Sequence, residues 1–264
     1  MLRRKKSTLV LTILAFSLLF ITAALVIYFK ITYNHMTEKG RDLLWLLDKN
    51  EYSQAHGLFD PGAGRVFTAD DMAMADGQMD EIIGKSGDMK WAGTYKYTWL
   101  TPLTLVIRWK VDYSLAHDPV HVTMSFIKRG GQWRIGGLWF DSREVREKPL
   151  LVSARFGEDV DEGHNVKTIR KDFTLDLRYA YAWTLWQGLN GDHSVTMQWV
   201  EPSGKVYYTF DYEVGRKPER KSRVVWSRIG LQEARDAIQP GAWKVIIFLD
   251  EKPVAEANTI ITTQ

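Results

Sequence analysis

The feature that most constrains this chain is an uncharged apolar run near its N-terminus, from Ser7 to Phe29. At about 1.5 Å of rise per residue, roughly 23 helical residues extend about 34 Å, which is enough to cross a hydrocarbon layer of about 30 Å. The sequence therefore predicts a transmembrane signal anchor over residues 7–29, embedded in the lipid bilayer. Everything after the anchor is expected to lie on one side of the membrane.

The residues that precede the apolar run predict its orientation. Four of them are basic, namely Arg3, Arg4, Lys5 and Lys6. Because positively charged flanks of a membrane span stay in the cytoplasm, residues 1–6 are expected to form a cytoplasmic tail, with the bulk of the chain outside. A cleaved signal peptide is the alternative, with small-x-small sites at residues 15–17 and 22–24, but strong hydrophobicity continues beyond both sites.

The basic tail accounts for the positive charge of the whole chain. The formal net charge is +3, from 35 basic and 32 acidic side chains, so without the four basic residues of the tail 31 basic face 32 acidic side chains, or −1. A nearly neutral outer part lacks the basic face that nucleic-acid binding needs, and we expect no such partner. The absence of cysteine excludes disulfides, thiolate catalysis and cysteine-rich zinc sites.

The outer part begins with a helical pattern and then changes to a strand pattern. Leucines at near-helical spacing predict helices between residues 37 and 85, and Thr68 is expected to cap the last of them. From Trp91 onward, apolar and polar residues alternate in four runs, which predicts an antiparallel meander. We therefore predict an α+β domain over residues 37–142, with its helices on the apolar face of the sheet.

Residues 38–140 resemble the NTF2-like (cystatin-like) superfamily, in particular its small bacterial extracytoplasmic modules. The matching features are an opening helix, the segment KNEYSQAHGLFD at 49–60, a helix at 69–83 and the closing hairpin FIKRGGQWRIGGLWF at 126–140. The resemblance implies a conical cavity between helices and sheet. It implies no single activity, because that fold hosts enzymes, binding modules and assembly parts alike.

The last third of the chain predicts a second domain made of strands. Residues 143–170 contain a charged run, a proline and an acidic patch, and we expect them to form a linker without a calcium site. Residues 171–264 alternate in six or seven short runs, which predicts an all-β immunoglobulin-like (Ig-like) sandwich. Its final segment, PGAWKVIIFLDEKPVAEANTII at 240–261, resembles the closing strands of bacterial extracytoplasmic Ig-like domains.

Two expectations concern the interior of that sandwich. The segment from Phe173 to Leu185 alternates over an unusual length, so it is expected to contain a bulge or a break. The alternation places Trp199, Trp226 and Trp243 in the core, where they stabilise the fold without binding a sugar. Trp186 and Tyr207 fall on the opposite faces of their strands and stay unexplained.

Few residues suggest chemistry. In the cavity that the resemblance implies, Tyr95, Tyr97 and Trp109 are the candidate ligand-binding residues. His56 and Asp60 could be acid-base groups there, but Asp60 begins a turn motif and the set forms no catalytic pattern. The triplet of His117, Asp118 and His121 is expected to be surface rather than a metal site, because its spacing fixes no ligand geometry on a hairpin.

The expected function follows from location more than from chemistry. No signature of a serine hydrolase, P-loop, dinucleotide site or zinc peptidase occurs, so we expect no catalysis, metal or cofactor. The chain is expected to be a binding or assembly module of the bacterial inner membrane, with its bulk in the periplasm or extracellular space and a protein partner at the membrane. A small-ligand sensor and a hydrolase or isomerase using the NTF2-like cavity are the alternatives.

Overall fold

The computed structural model describes residues 2–63, 68–98, 102–215 and 222–263, and the side chains of these residues outside 2–17, 91 and 93–98. The chain divides into two compact units, Met1–Trp45 and Leu46–Gln264. The first unit is most of a single helix. The second unit holds the remaining helices and all described strands.

The first helix, α1 (Leu2–Asp48), contains the whole apolar run that the sequence singles out. Within the described part of the chain, it is the one helix long and apolar enough to cross a membrane, as judged by length and composition. The opening helix expected from residue 37 is the C-terminal part of α1, because no proline interrupts the helix before Asp48.

Two short helices follow, α2 (Tyr52–Gly57) and α3 (Ala69–Ile82). Thr68 begins α3 with a capping box: its hydroxyl oxygen accepts from the amide of Asp71 at 3.3 Å, and the Asp71 carboxylate accepts from the amide of Thr68 at 2.6 Å. The predicted cap is confirmed. After the helix, Gly84 has a φ of +79°, and a Cβ there would lie 2.9 Å from a backbone nitrogen, so this position requires glycine.

The next four strands form the predicted meander: β1 (Ser86–Thr98), β2 (Leu103–Tyr113), β3 (Val120–Arg129) and β4 (Gln132–Asp141). They pair antiparallel in the order β1-β2-β3-β4. On β2 the buried side chains are those at every second position from Leu105 to Tyr113, as the alternation of the sequence requires. The finer prediction, an NTF2-like layer of helices on this sheet, stays a prediction.

After β4, the described residues form one short helix and nine strands: α4 (Arg143–Glu147), β5 (Leu150–Val160), β6 (Val166–Ile169), β7 (Asp172–Thr174), β8 (Tyr179–Gln187), β9 (Ser194–Val200), β10 (Val206–Glu213), β11 (Ser222–Gly230), β12 (Gly241–Leu249) and β13 (Lys252–Thr262). They form two sheets, with strand orders β10-β9-β12-β13-β7 and β11-β8-β5-β6. All pairs are antiparallel except β13 with β7. The chain crosses repeatedly between the two sheets, as in Ig-like sandwiches.

The expectation of a linker over residues 143–170 is wrong, because this segment supplies a strand of the sandwich. β5 pairs with β8 in a register that runs from Leu150 to Gly157. Its apolar residues Leu150, Leu151 and Phe156 are buried, and this burial outweighs the charged residues on either side. The sandwich therefore includes residues that precede 171.

One hydrophobic core fills the space between the two sheets. Trp199 and Trp243 are buried in it, as predicted, and Trp186 is buried there as well. The expectation for Trp226 is wrong, because this side chain lies only partly buried on the other face of its strand. Its ring contacts that of Tyr181 at a centroid distance of 5.5 Å.

The predicted break in the long alternating segment is confirmed and explains that difference. β7 ends at Thr174 and β8 begins at Tyr179, so the alternation does not continue unchanged from one strand to the next. On β8 the core side chains are Ala180, Ala182 and Trp186. Trp226 pairs with Trp183, and opposite residues of an antiparallel pair share a face, so Trp226 points away from the core.

Two glutamine side chains join the α+β region to the sandwich by acting as strand partners. Gln187 of β8 donates to the carbonyl of Leu138 at 2.8 Å and accepts from the amide of Phe140 at 3.1 Å. Gln78 of α3 does the same for one residue of β5, donating to the carbonyl of Leu151 at 3.3 Å and accepting from its amide at 3.1 Å. Each side-chain amide satisfies backbone groups on a strand edge beside which no described strand lies.

A buried ion pair strengthens the same junction. The guanidinium of Arg155 on β5 donates to the carboxylate of Asp71 on α3, and each side chain is less than one-tenth exposed. Asp71 is also the capping-box residue of α3. The cap of the helix and its packing against the sandwich therefore depend on one carboxylate.

Candidate functional site

The three aromatic residues expected to line a ligand cavity lie on neighbouring strands. Tyr95 and Tyr97 are on β1, where they pair with Ile107 and Leu105 of β2. Trp109 is on β2, two residues from Ile107. The backbone brings the three positions into one region of the meander, while the side chains of Tyr95 and Tyr97 lie outside the described part of the structure.

Trp109 is fully buried and is part of the core. Its ring meets that of Phe126 edge to face, at a centroid distance of 6.2 Å. Its indole nitrogen and the hydroxyl of Tyr113, four residues further along β2, are both buried without a hydrogen-bond partner among the described residues. A buried polar group left without a partner costs about 1–3 kcal/mol, so these two groups are unusual in a stable interior.

A set of interacting polar side chains lies around Asp76, near the end of α3. We define the Asp76 cluster as Tyr52, Asp76, Asp80 and Lys85. The hydroxyl of Tyr52 donates to the buried carboxylate of Asp76 at 3.0 Å. The ammonium of Lys85 lies 2.5 Å from a carboxylate oxygen of Asp80 and 3.8 Å from one of Asp76. The cluster therefore runs from the interior to the surface.

Two further polar groups adjoin the Asp76 cluster. The carboxylate of Asp48, the last residue of α1, accepts hydrogen bonds from the hydroxyl and the amide of Ser86. Burial raises the pKa of Tyr113, and the charges of Asp48, Asp76 and Asp80 raise it further. The hydroxyl of Tyr113 that lacks a partner therefore lies in the field of three carboxylates.

The surroundings shift the pKa of three members of the cluster, Tyr52, Asp76 and Lys85. Burial raises the pKa of Asp76, and this effect outweighs the opposing hydrogen bond from Tyr52 and the charge of Lys85. Burial, followed by the charge of Asp76, raises the pKa of Tyr52 to about 12. The hydrogen bond to Asp80 raises the pKa of Lys85. The pKa shifts of Tyr52 and Lys85 favour their protonated, hydrogen-bond-donating forms.

Sequence analysis missed the Asp76 cluster because its members come from different elements. Tyr52 is on α2, Asp76 and Asp80 are on α3, and Lys85 follows that helix. The one local signal is the spacing of Asp76 and Asp80, since residues four apart lie on the same face of a helix. Nothing in the sequence indicates that Tyr52 and Lys85 meet that face.

The two histidines considered as metal ligands lie in different surroundings. His117 lies in the loop before β3, with its Nδ1 3.3 Å from a carboxylate oxygen of Glu144. His121 is on β3, where burial, then the charge of Arg108, lowers its pKa. In residues 18–63, 68–98, 102–215 and 222–263, no group of three or more histidine, aspartate or glutamate side chains is placed to hold a metal ion.

Asp60 has a structural role in the turn that follows α2, while His56 lies in α2 itself. One carboxylate oxygen of Asp60 accepts from the amide of Gly62 at 2.9 Å, and the other lies 3.4 Å from Nε of Arg129. The amide of Asp60 also donates to the carbonyl of Ile135 on β4. The carboxylate thus stabilises the turn, as its position before Pro61 suggests.

The surface of α1 is the other feature that bears on function. Among its described residues, the exposed large apolar side chains are Leu18, Leu19, Phe20, Ile21, Leu25, Val26, Ile27, Tyr28, Phe29, Ile31 and Trp45. Successive helical residues are about 100° apart, so such runs cover every side of the helix. An exposed apolar surface of this kind marks a site of contact with lipid or protein. The basic residues 3–6 lie at the start of α1, with side chains outside the described part.

Comparisons with known proteins find no matching family model and no matching curated protein. Among solved structures, an immunoglobulin-like protein from Pseudomonas aeruginosa aligns over 42% of this chain and 92% of its own, at 16% identity and a TM-score of 0.29. An alkylpurine DNA glycosylase from Pseudomonas fluorescens, bound to DNA, aligns over 41% of this chain and 30% of its own, at 8% identity and a TM-score of 0.23. At such low identities and TM-scores, neither similarity indicates a function for this chain. The sandwich is defined by its own strand pairing.

Proposed function

We propose that this protein is a membrane-anchored, extracytoplasmic binding or assembly module that acts without catalysis. Residues 7–29 hold it in a bacterial inner membrane, with residues 1–6 in the cytoplasm and the bulk in the periplasm or extracellular space. An NTF2-like α+β domain and an Ig-like sandwich are presented there to a protein partner.

The observation that carries this proposal is the apolar surface on all sides of α1 between Leu18 and Ile31. A helix that packed in a soluble core would bury one face, whereas this helix exposes apolar residues at consecutive positions from Leu18 to Ile21 and from Leu25 to Phe29. Lipid is the environment that satisfies such a surface. The four basic residues before it support the cytoplasmic location of the N-terminus.

The junction between the two parts supports presentation as the mechanism. Gln78, Gln187 and the pair of Asp71 with Arg155 hold the sandwich against the α+β region. A surface that is held in a fixed orientation loses less conformational entropy when it binds. A membrane anchor adds a high effective concentration near partners in the same membrane.

Topology can be tested by cysteine labelling, because the native chain has no cysteine. We expect Ser203→Cys, in an exposed turn of the sandwich, to react with a membrane-impermeant maleimide added to intact spheroplasts. The matched variant Leu2→Cys, in the proposed cytoplasmic tail, should react only after the membrane is permeabilised. Labelling of Ser203→Cys only after permeabilisation would contradict the proposed orientation, and release of the chain by alkaline carbonate would contradict the anchor.

The partner can be tested by photo-crosslinking the full chain in intact membranes at native abundance. We expect a discrete crosslinked species that contains a second protein, and we expect it to be lost when residues 1–29 are replaced by a cleavable signal peptide. Recovery of uncrosslinked chain alone from probes spread over the sandwich and the meander would contradict a binding or assembly role.

A small-ligand sensor is the second candidate, and one observation favours it. The buried polar atoms of Trp109 and Tyr113 lack hydrogen-bond partners on the same face of β2, among the described residues. A small ligand with acceptor groups would satisfy both. Native mass spectrometry of the purified full chain should then show a bound small molecule that Tyr113→Phe releases, and a ligand-free spectrum would contradict this candidate.

A further inference from the structure

His193 lies where the sandwich meets α4, the short helix between β4 and β5. It belongs to the loop between β8 and β9, and its side chain is mostly buried. The same loop approaches α4 closely at Gly188, where a Cβ would lie 2.4 Å from the carbonyl oxygen of Val145. The helix is also held to the loop before β3, because the carboxylate of Glu144 accepts from the amide of His117 at 3.2 Å. α4 therefore connects the meander with the sandwich.

Each ring nitrogen of His193 has an acceptor as its partner. Nδ1 lies 2.8 Å from a carboxylate oxygen of Asp250, in the turn between β12 and β13. Nε2 lies 3.1 Å from the carbonyl oxygen of Arg146 on α4. A neutral imidazole has a single N–H, so one of its nitrogens would present a lone pair to an acceptor. Only the ring with two protons donates to both oxygens.

The surroundings of Asp250 keep its carboxylate in the form that accepts from this ring. Burial raises the pKa of Asp250, but hydrogen bonds from the amide of Ser194, at 2.9 Å, and from His193, with the charge of the ring, lower it below its ordinary value. The other charged residues of α4, of the two loops and of the end of β10, which packs on the backbone of His193, are Arg143, Glu144, Arg146, Glu147, Asp192, Glu213, Glu251 and Lys252. Among the described residues, Asp250 is the one whose carboxylate is hydrogen-bonded to the ring.

We propose that His193 is a pH-sensitive clasp between the sandwich and α4. The ring with two protons bridges Asp250 and the carbonyl of Arg146, which closes the clasp. When the ring loses one proton, it keeps the stronger bond to the carboxylate and loses the bond to Arg146, so α4 is held less firmly. An unperturbed imidazole changes its charge near about pH 6.5, so the clasp is closed in acidic surroundings and open in alkaline ones. A response to external pH rests on the proposed extracytoplasmic location, whereas the clasp itself does not.

Nuclear magnetic resonance of the ring nitrogens tests the protonation step. In the full chain, labelled with ¹⁵N-histidine and held in detergent micelles, His193 should show two ring N–H protons at about pH 5 and only the proton on Nδ1 at about pH 8. Loss of these signals in His193→Gln assigns them to this residue. The exposed ring of His117, whose protons exchange freely with water, is the comparison. A single ring proton at about pH 5, or two at about pH 8, would overturn the proposal.

Hydrogen exchange tests whether the clasp acts on α4. The amides of Arg146 and Lys148 donate to the carbonyls of Ser142 and Glu144. Their exchange rates, each divided by the rate of an unfolded chain at the same pH, should rise about tenfold between about pH 5 and about pH 8. A rise of this size corresponds to the loss of one hydrogen bond to a charged group.

Two glutamine variants distinguish His193 from a second histidine that contacts α4. In His193→Gln the relative exchange rates should be equal at the two pH values, because glutamine does not titrate. His117→Gln should retain the tenfold rise, because the backbone amide at this position still donates to Glu144. Rates in the native chain that do not change with pH, or a rise that persists in His193→Gln, would overturn the clasp.

Discussion

Arg155 and Asp71 form an ion pair where neither side chain meets much solvent. Removal of one partner of a buried pair leaves an uncompensated charge, which costs about 3–5 kcal/mol. We therefore expect Arg155→Met to lower the free energy of unfolding by about 3 kcal/mol, measured by chemical denaturation. The matched change Arg143→Met, at an exposed pair with Glu147, should have no measurable effect. Equal stability of the two variants would show that the Asp71 pair adds nothing.

Asp76 and Glu144 should make the free energy of unfolding depend on pH in opposite directions. Burial raises the pKa of Asp76 above its ordinary value of 3.8, so the folded state keeps this proton at a pH where the unfolded state has lost it. The stability that Asp76 contributes therefore falls as pH rises from about 3.8 through its pKa in the folded protein. Hydrogen bonds from its own amide and that of His117 lower the pKa of Glu144 from 4.5 to about 2. Its contribution is present above 4.5 and is lost as pH falls through about 2.

Both pH dependences can be measured by chemical denaturation, in which the native chain is compared with one variant at a series of pH values. The stability of the native chain minus that of Asp76→Asn should fall as pH rises above about 3.8. The corresponding difference for Glu144→Gln should rise from about pH 2 to about pH 5 and then stay constant. Parallel curves for the two pairs would contradict the assigned electrostatics.

Among the secondary-structure elements, α3 is the helix whose first turn is stabilised by a capping box. Thr68→Ala removes the side-chain acceptor of the capping box, and this should lower the free energy of unfolding by about 1 kcal/mol. Thr263→Ala, in an exposed position after β13, is the control and should change stability little. Urea denaturation with equal m-values measures both, and an unaffected Thr68→Ala variant would mean that packing alone holds the helix.

Gln187 is the element-scale link between β8 and β4. Gln187→Glu keeps an acceptor for the amide of Phe140 but loses the donor to the carbonyl of Leu138, so a buried acceptor is left facing a carboxylate. We expect a loss of about 2 kcal/mol in the free energy of unfolding. The same change at the exposed Gln132 of β4 should be nearly neutral. Unchanged amide exchange at Phe140 together with unchanged stability would contradict the bridge.

The alternation of apolar and polar residues predicted where the strands lie better than it predicted which face of each strand is buried. It correctly placed the meander, Trp199, Trp243 and the break before β8. It failed for Trp226. After the break, a different set of β8 residues faces the core, and the antiparallel pairing of β8 with β11 then places Trp226 on the face away from the core. Charged composition also concealed β5, whose three buried apolar residues are few beside its flanks. The sequence pattern of one strand does not indicate which residues of the neighbouring strand face the core.

At the scale of the whole molecule, the junction predicts that Leu46–Gln264 unfolds as one cooperative unit. Amides of β2 and of β12 should exchange with solvent through the same global opening, with equal free energies by hydrogen exchange. In the double variant Gln78→Ala with Gln187→Ala, the two strands should open at different free energies. Two distinct free energies in the native chain would show that its parts are already independent.

The sequence by itself determined the apolar run near the N-terminus, its basic flank, the cap of α3 and the presence of alternating strands, because each depends on residues close together in the chain. Tertiary structure decided that residues 150–160 belong to the sandwich, that Trp226 leaves the core and that Trp109 is buried. It alone assembled the Asp76 cluster and the glutamine bridges. Those features join residues tens of positions apart, and only the packing of whole elements fixes which of them meet.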